Sequence, residues 1–147
     1  MKGKVIAIVN QKGGVGKTTT AVNLATIFAV MSKKVLIIDI DSQGNTSSGL
    51  GIEQIKRKIT SYNLFTGIGS IKDAIIETEI PNLSIITANT NLAAIELDLV
   101  NLKDHENILL NKISEIKDNF DYIVIDCPPS LSLVTLNALV ACNEVLI

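Results

Sequence analysis

The chain of 147 residues has a formal net charge of −2, a sequence pI of about 5.3, 47% hydrophobic residues and a mean hydropathy of +0.38. That balance excludes a disordered tail and lacks the basic excess of a nucleic-acid-binding surface; it suits one globular domain, residues 1–147, with a well-developed core. No apolar run reaches the roughly 18 to 20 residues of a membrane span and no small-residue cleavage site precedes the first glycines, so the chain reads as cytoplasmic, with no membrane partner.

"KVIAIVN" (Lys4 to Asn10) is apolar and rich in β-branched residues, and predicts a buried strand that stops at a glycine loop. Beyond the loop, Ala21, Leu24, Ala25 and Phe28 recur at i, i+3, i+4 and i+7, the period of a helix starting near Lys17. "KKVLIID" (Lys33 to Asp39) is the second strand, so the unit is strand, loop, helix, strand, a right-handed parallel crossover. "DSQGNTSSGLG" (Asp41 to Gly51) is loop chemistry throughout, and "SIKDAII" (Ser70 to Ile76) has a short helical pattern.

"LSIITA" (Leu83 to Ala88) predicts a third strand, and Leu109, Ile113 and Ile116 mark a helix ending in "KDN" (Lys117 to Asn119). "FDYIVID" (Phe120 to Asp126) is the fourth strand, "SLVTLNALVAC" (Ser132 to Cys142) a helix after the Pro128-Pro129 turn, and "EVLI" (Glu144 to Ile147) opens a fifth strand. A sequence that stops inside an apolar strand reads as an incomplete domain, part of a longer α/β protein. "KRK" (Lys56 to Lys58), which holds the only arginine, Arg57, reads as a solvated helix end, His105 as a surface residue without a carboxylate partner, and Cys127 and Cys142 as a reduced, buried pair.

Three segments carry chemistry. In "NQKGGVGKTTT" (Asn10 to Thr20), Gly13, Gly14 and Gly16 let backbone N–H groups converge on an anion, and the helix beyond adds its positive end. Lys17 reaches β- and γ-phosphate oxygens and Thr18 offers a hydroxyl to Mg²⁺, as in a Walker A loop, although Gln11 stands where the general pattern has glycine. Asp126, ending a buried strand, has the placement of a Walker B aspartate that holds Mg²⁺ through its waters. In "DIDSQGN" (Asp39 to Asn45), either Asp39 or Asp41 could face the γ-phosphate and orient a water, and an ordinary Asp-Ser-Gln-Gly turn is the alternative.

Together and in this order, "KGGVGKTT" (Lys12 to Thr19), "DIDSQGN" and "DCPPSL" (Asp126 to Leu131) closely resemble the ParA/Soj chromosome- and plasmid-partitioning ATPases, over essentially the whole chain. The resemblance implies a P-loop NTPase fold of the SIMIBI-like kind, α/β, with a mostly parallel sheet and helices on both faces. In that family the residue before the first loop lysine is commonly glutamine, which accounts for Gln11, and proline is usual where this chain has Ser42.

The resemblance also implies an ATPase that needs ATP and Mg²⁺. Gly13, Gly14, Val15, Gly16, Lys17, Thr18 and Thr19 would form the nucleotide loop, with Thr19 toward the α-phosphate. Thr18, Asp39 and Asp126 would hold the metal shell, and Asp41 would position the attacking water. Lys12 would be the signature lysine that crosses an ATP-sandwiched homodimer to the partner's nucleotide; with Arg57 the only arginine, a lysine is left to supply that charge. The implied partners are a ParB-like stimulating protein and non-specific DNA, bound through a part not in this sequence, with the protein associated with the nucleoid.

Other proteins with a similar loop are the MinD-type septum-site ATPases and cellulose-synthesis regulators, against which "NQKGG" and "DSQGN" look more like partition proteins. A nitrogenase-iron-protein reading lacks its cluster cysteines, since Cys127 directly follows Asp126. From another class, a non-catalytic nucleotide-binding fragment is the remaining alternative.

Overall fold

The structure, a computed structural model, describes residues 3–9 and 15–147, the side chains of 15–18 excepted. Its strands are β1 (Lys4–Ile8), β2 (Val35–Asp39), β3 (Ile75–Glu77), β4 (Leu83–Ile86), β5 (Tyr122–Asp126) and β6 (Glu144–Leu146). The helices are α1 (Val15–Val30), α2 (Asn45–Gly49), α3 (Ser61–Thr66), α4 (Ile71–Ala74), α5 (Ile95–Leu99), α6 (Ile108–Ser114) and α7 (Leu133–Ala141). All strands join one sheet in the order β3-β4-β2-β5-β1-β6, parallel except for the antiparallel edge pair β3 and β4.

The near-continuous apolar strands are explained by burial on both faces. On one face Ile8, Val35, Ile37, Leu83, Ile85 and Val124 pack beneath α1, which presents Ala21, Ala25 and Ala29 at four-residue spacing. These small side chains let the helix lie close to the sheet, while Leu24 and Phe28 flank them, and the Phe28 ring stacks on Tyr122 with centroids 3.9 Å apart. On the other face Val5, Ala7, Leu36, Ile38, Ile86, Ile123 and Ile125 meet residues of α3, α5, α6 and α7, including Leu64, Ile95, Leu109 and Ala138. Helices therefore cover both faces, as the resemblance implied. No helix among the described residues is long and apolar enough to cross a membrane.

Several expectations change. The stretch 70–76 is helical only through Ala74, where Ser70 accepts a hydrogen bond from the Asp73 amide; the β-branched pair Ile75-Ile76 then enters β3. The segment 41–51 is not loop throughout, because Asn45–Gly49 forms α2 behind Gly44, whose φ of 65° suits glycine. Arg57 is buried at 7% exposure and is no solvated helix end. His105 is half-buried with Nε2 3.8 Å from Glu106, its neighbour in sequence, and Nδ1 3.0 Å from the Leu102 carbonyl. Both cysteines are free thiols, but only Cys127 is fully buried.

Candidate functional site

The parallel register places the acidic residues before any side chain is considered. β2 and β5 end level with each other, Asp39 opposite Asp126, and Asp126 in turn stands opposite Ile8, the last residue of β1. Two carboxylates thus share the carboxyl edge of the sheet beside the strand that leads into the glycine loop, where open α/β sheets bind ligands. Both are buried, Asp39 at 0% and Asp126 at 1% exposure.

The loop after β2 is built around these two groups. Asp39 Oδ1 accepts from the Asp41 amide at 3.1 Å, and Oδ2 accepts from both the Ser47 amide at 3.1 Å and the Ser47 hydroxyl at 2.7 Å. Asp126 Oδ2 accepts from the Thr46 hydroxyl. Two consecutive side chains of α2 therefore tie one short helix to the ends of two neighbouring strands. Ser47 Oγ also accepts from the Ala88 amide at 3.1 Å, and Ser61 Oγ donates to the Asp39 carbonyl at 2.7 Å, joining the segment after β4 and the start of α3 to the same knot.

Asp41 sits one step further along. Its carboxylate Oδ1 accepts from the Gln43 amide at 3.1 Å and its carbonyl from the Gly44 amide at 2.9 Å, an Asx-type turn that sets the side chain at the head of the loop. Arg57 lies beneath this loop, and a Cβ at Gly44 would fall 2.9 Å from its Nη1. Its guanidinium donates to the Ile52 carbonyl from Nε at 3.1 Å and Nη2 at 2.7 Å, to Ser48 Oγ at 3.0 Å and to the Ala88 carbonyl at 3.4 Å. Among the described residues no carboxylate pairs with it, so its charge is met by dipoles of the loop it supports.

Burial, followed by the nearby charge of Asp126, raises the Asp39 pKa from 3.8 to about 7, against the lowering effect of the Ser47 and Asp41 hydrogen bonds. Two hard oxygen donors crowded together in a dry edge suit a divalent cation. No cluster of three or more His, Cys, Asp or Glu that could hold a metal occurs among the described residues. The two carboxylates of Asp39 and Asp126 fit Mg²⁺, which takes one or two carboxylates and completes its shell with phosphate and water.

Of the residues singled out in the sequence, Lys12, Gly13 and Gly14 lie outside the described residues. Val15, Gly16, Lys17 and Thr18 begin α1, and Thr19 is an exposed residue of the same helix. Asp39 and Asp126 are brought level at the strand ends, and Asp41 follows on the loop with its amide bonded to Asp39. Sequence reasoning missed Thr46, Ser47 and Arg57; the run of hydroxyls in "NTSSG", directly after the acidic loop, was the available signal.

A family model described as "AAA domain" matches residues 3–147. The chain is 48% identical to the sporulation initiation inhibitor protein Soj of Bacillus subtilis (strain 168), over 99% of this chain and 57% of that protein. It is 47% identical to the chromosome-partitioning ATPase Soj of Treponema pallidum (strain Nichols), over 99% of this chain and 56% of that protein. It thus spans about half the length of the curated relatives it matches. Among solved structures it is similar to a cobyrinic acid a,c-diamide synthase from Mycobacterium smegmatis with bound ATP analog and magnesium, with a TM-score of 0.92 at 33% identity over 97% of this chain and 58% of that one. A plasmid partition protein from Borrelia burgdorferi B31 bound to AMPPNP superimposes with a TM-score of 0.88 at 32% identity, over 99% and 62% of the two chains.

Proposed function

The chain belongs to the AAA domain family, alongside ParA/Soj-type proteins, and from that premise we propose that it binds and hydrolyses ATP with Mg²⁺ as a partition ATPase. The observation that carries this reading is the level pairing of Asp39 and Asp126 at the carboxyl edge, with Asp41 on the loop that follows β2 and α1 the next helix after β1 in the chain.

In this reading the Gly13 to Gly16 amides, the Lys17 ammonium and the positive end of α1 hold the phosphates, with Thr19 toward the α-phosphate. Thr18 and Asp126 hold the metal shell; Asp39 belongs to the same shell, and its three hydrogen bonds also anchor the loop that carries Asp41. Thr18, Asp39 and Asp126 would hold Mg²⁺, which would supply positive charge against the charge that develops on transfer. Asp41 orients the attacking water in line with the leaving oxygen, and the burial of Asp39 and Asp126 keeps bulk water from the edge. Lys12 reaches the nucleotide of a second protomer, so that dimerisation on ATP and hydrolysis are coupled. The process served is chromosome or plasmid segregation in the cytoplasm at the nucleoid, with non-specific DNA and a ParB-like stimulating protein as partners.

The test is Lys17→Ala in the full chain. A charge-assisted contact to phosphate contributes about 1.5 to 3 kcal/mol, so Mg·ATP affinity measured by calorimetry should fall roughly 10- to 100-fold and phosphate release should cease. Unchanged affinity would refute the assignment of the phosphate loop.

A further inference from the structure

Thr46 and Asp126 are 80 positions apart in the chain, yet the Thr46 hydroxyl donates to Asp126 Oδ2, and both residues are buried. A threonine in the first turn of a short helix ordinarily bonds its own backbone. Here the hydroxyl serves the end of a strand in another part of the fold.

The helix that offers it is held on two sides. The adjacent residue, Ser47, is fixed to Asp39 by its amide and its hydroxyl. The next, Ser48, accepts from Arg57 Nη2 at 3.0 Å, and that same nitrogen donates to the Ile52 carbonyl at 2.7 Å beyond the helix. Ser47 and Ser48 therefore fix the backbone of α2 from which the Thr46 hydroxyl is presented to Asp126. The hydroxyl is preorganised.

We propose that Thr46 is a positioning residue for Asp126: by fixing Oδ2 it sets the plane in which this carboxylate meets the Mg²⁺ shell, and so sets the metal requirement for nucleotide binding. The inference rests on the Mg·ATP reading above. Its physical basis is that carboxylates serving a metal are oriented by hydrogen bonds from behind, and that loss of such a partner typically weakens metal affinity about 10- to 100-fold. Thr46 is not a catalytic residue in this account, since it acts through Asp126.

The experiment measures binding, without turnover. The affinity of the full chain for a fluorescent methylanthraniloyl ATP analogue is titrated at increasing Mg²⁺, and Mn²⁺ binding in the presence of the analogue is followed by electron paramagnetic resonance. Thr46→Val should raise the half-saturating Mg²⁺ and Mn²⁺ concentrations about 10- to 100-fold while leaving metal-free analogue affinity unchanged. Thr46→Ser, which keeps the hydroxyl, should stay near the wild-type values.

A Thr46→Val chain with the wild-type metal requirement would overturn the inference. So would a lower requirement, which would mean that the hydroxyl competes with the metal. If Thr46→Val does not fold, Thr46→Ser decides alone, because a shifted metal requirement with the hydroxyl retained contradicts the positioning role. A wild-type chain whose analogue affinity ignores Mg²⁺ would overturn the proposed function and this inference with it; a wild-type chain that responds beside an identical Thr46→Val overturns the inference only.

Discussion

Neutralising Asp39 should stabilise the fold, and pH is the direct way to do it. Burial and the Asp126 charge raise its pKa from 3.8 in the unfolded chain to about 7 in the folded one, so between those values the native state binds the proton more tightly than the unfolded state. The sign follows: stability from this group is present at the acid end of the window and is lost as pH rises through about 7. Between about pH 5.5 and about pH 8 the linkage amounts to roughly 2 kcal/mol. With a urea m-value on the order of 2 kcal/mol/M for a chain of this size, the unfolding midpoint should move down by about 1 M. Asp39→Asn supplies the control. Both oxygens of Asp39 accept hydrogen bonds, so the amide meets a donor and stability drops by a constant amount, but its pH dependence across this window disappears. The difference between the two midpoint curves isolates the carboxylate. Parallel curves would refute the account of a desolvated, repelled aspartate at the end of β2.

Two further perturbations address the loop and the dimer. Arg57→Met leaves the Ile52 and Ala88 carbonyls and Ser48 without their buried donor and should cost about 2 kcal/mol, a fall of about 5 °C in melting temperature; an unchanged melt would show that the guanidinium contributes nothing net. Lys12→Gln should preserve nucleotide affinity in the monomer while dimerisation and phosphate release fall together. Mixed with Asp41→Ala chains, which should bind ATP but not hydrolyse it, it should recover up to about half the wild-type activity per dimer, because one site then has both groups. Demonstrated heterodimers without recovery would return Lys12 to a role within its own protomer.

The parts of this architecture that depend on runs of side chains were legible in the sequence. Apolar runs such as "KVIAIVN" and "YIVID" gave the buried parallel strands, and the strand-then-aspartate ending of Asp39 and Asp126 gave the edge on which the site stands. Three features were not legible, each because a tertiary partner decides the local outcome. β3 is a short edge strand that exists by pairing with β4, so the helical period of the preceding residues concealed it. α2 has no apolar face and is held by hydrogen bonds to Asp39 and Asp126, which no periodicity reports. Arg57 looked solvated because it stands between two lysines in "KRK"; its partners are carbonyls and a hydroxyl brought in from Ser48, Ile52 and Ala88.

The strand order also constrains how the protein can be made. β1 and β2 follow one another in the chain, yet β1 pairs only with β5 and β6, and β5 is the strand that separates it from β2. On a ribosome, β2 can pair with β4 once Ile86 has emerged, whereas β1 has no hydrogen-bonding partner until Asp126 is out. Until then the strand leading into the glycine loop waits with both backbone edges open, the condition under which nascent parallel sheets fold slowly and attract other chains. Insertion of β5 pairs it with β1 on one side and β2 on the other and brings Asp126 level with Asp39 in the same event, while the second edge of β1 waits for β6. The acidic pair is thus completed by one five-residue segment, the same segment that gives β1 its first partner.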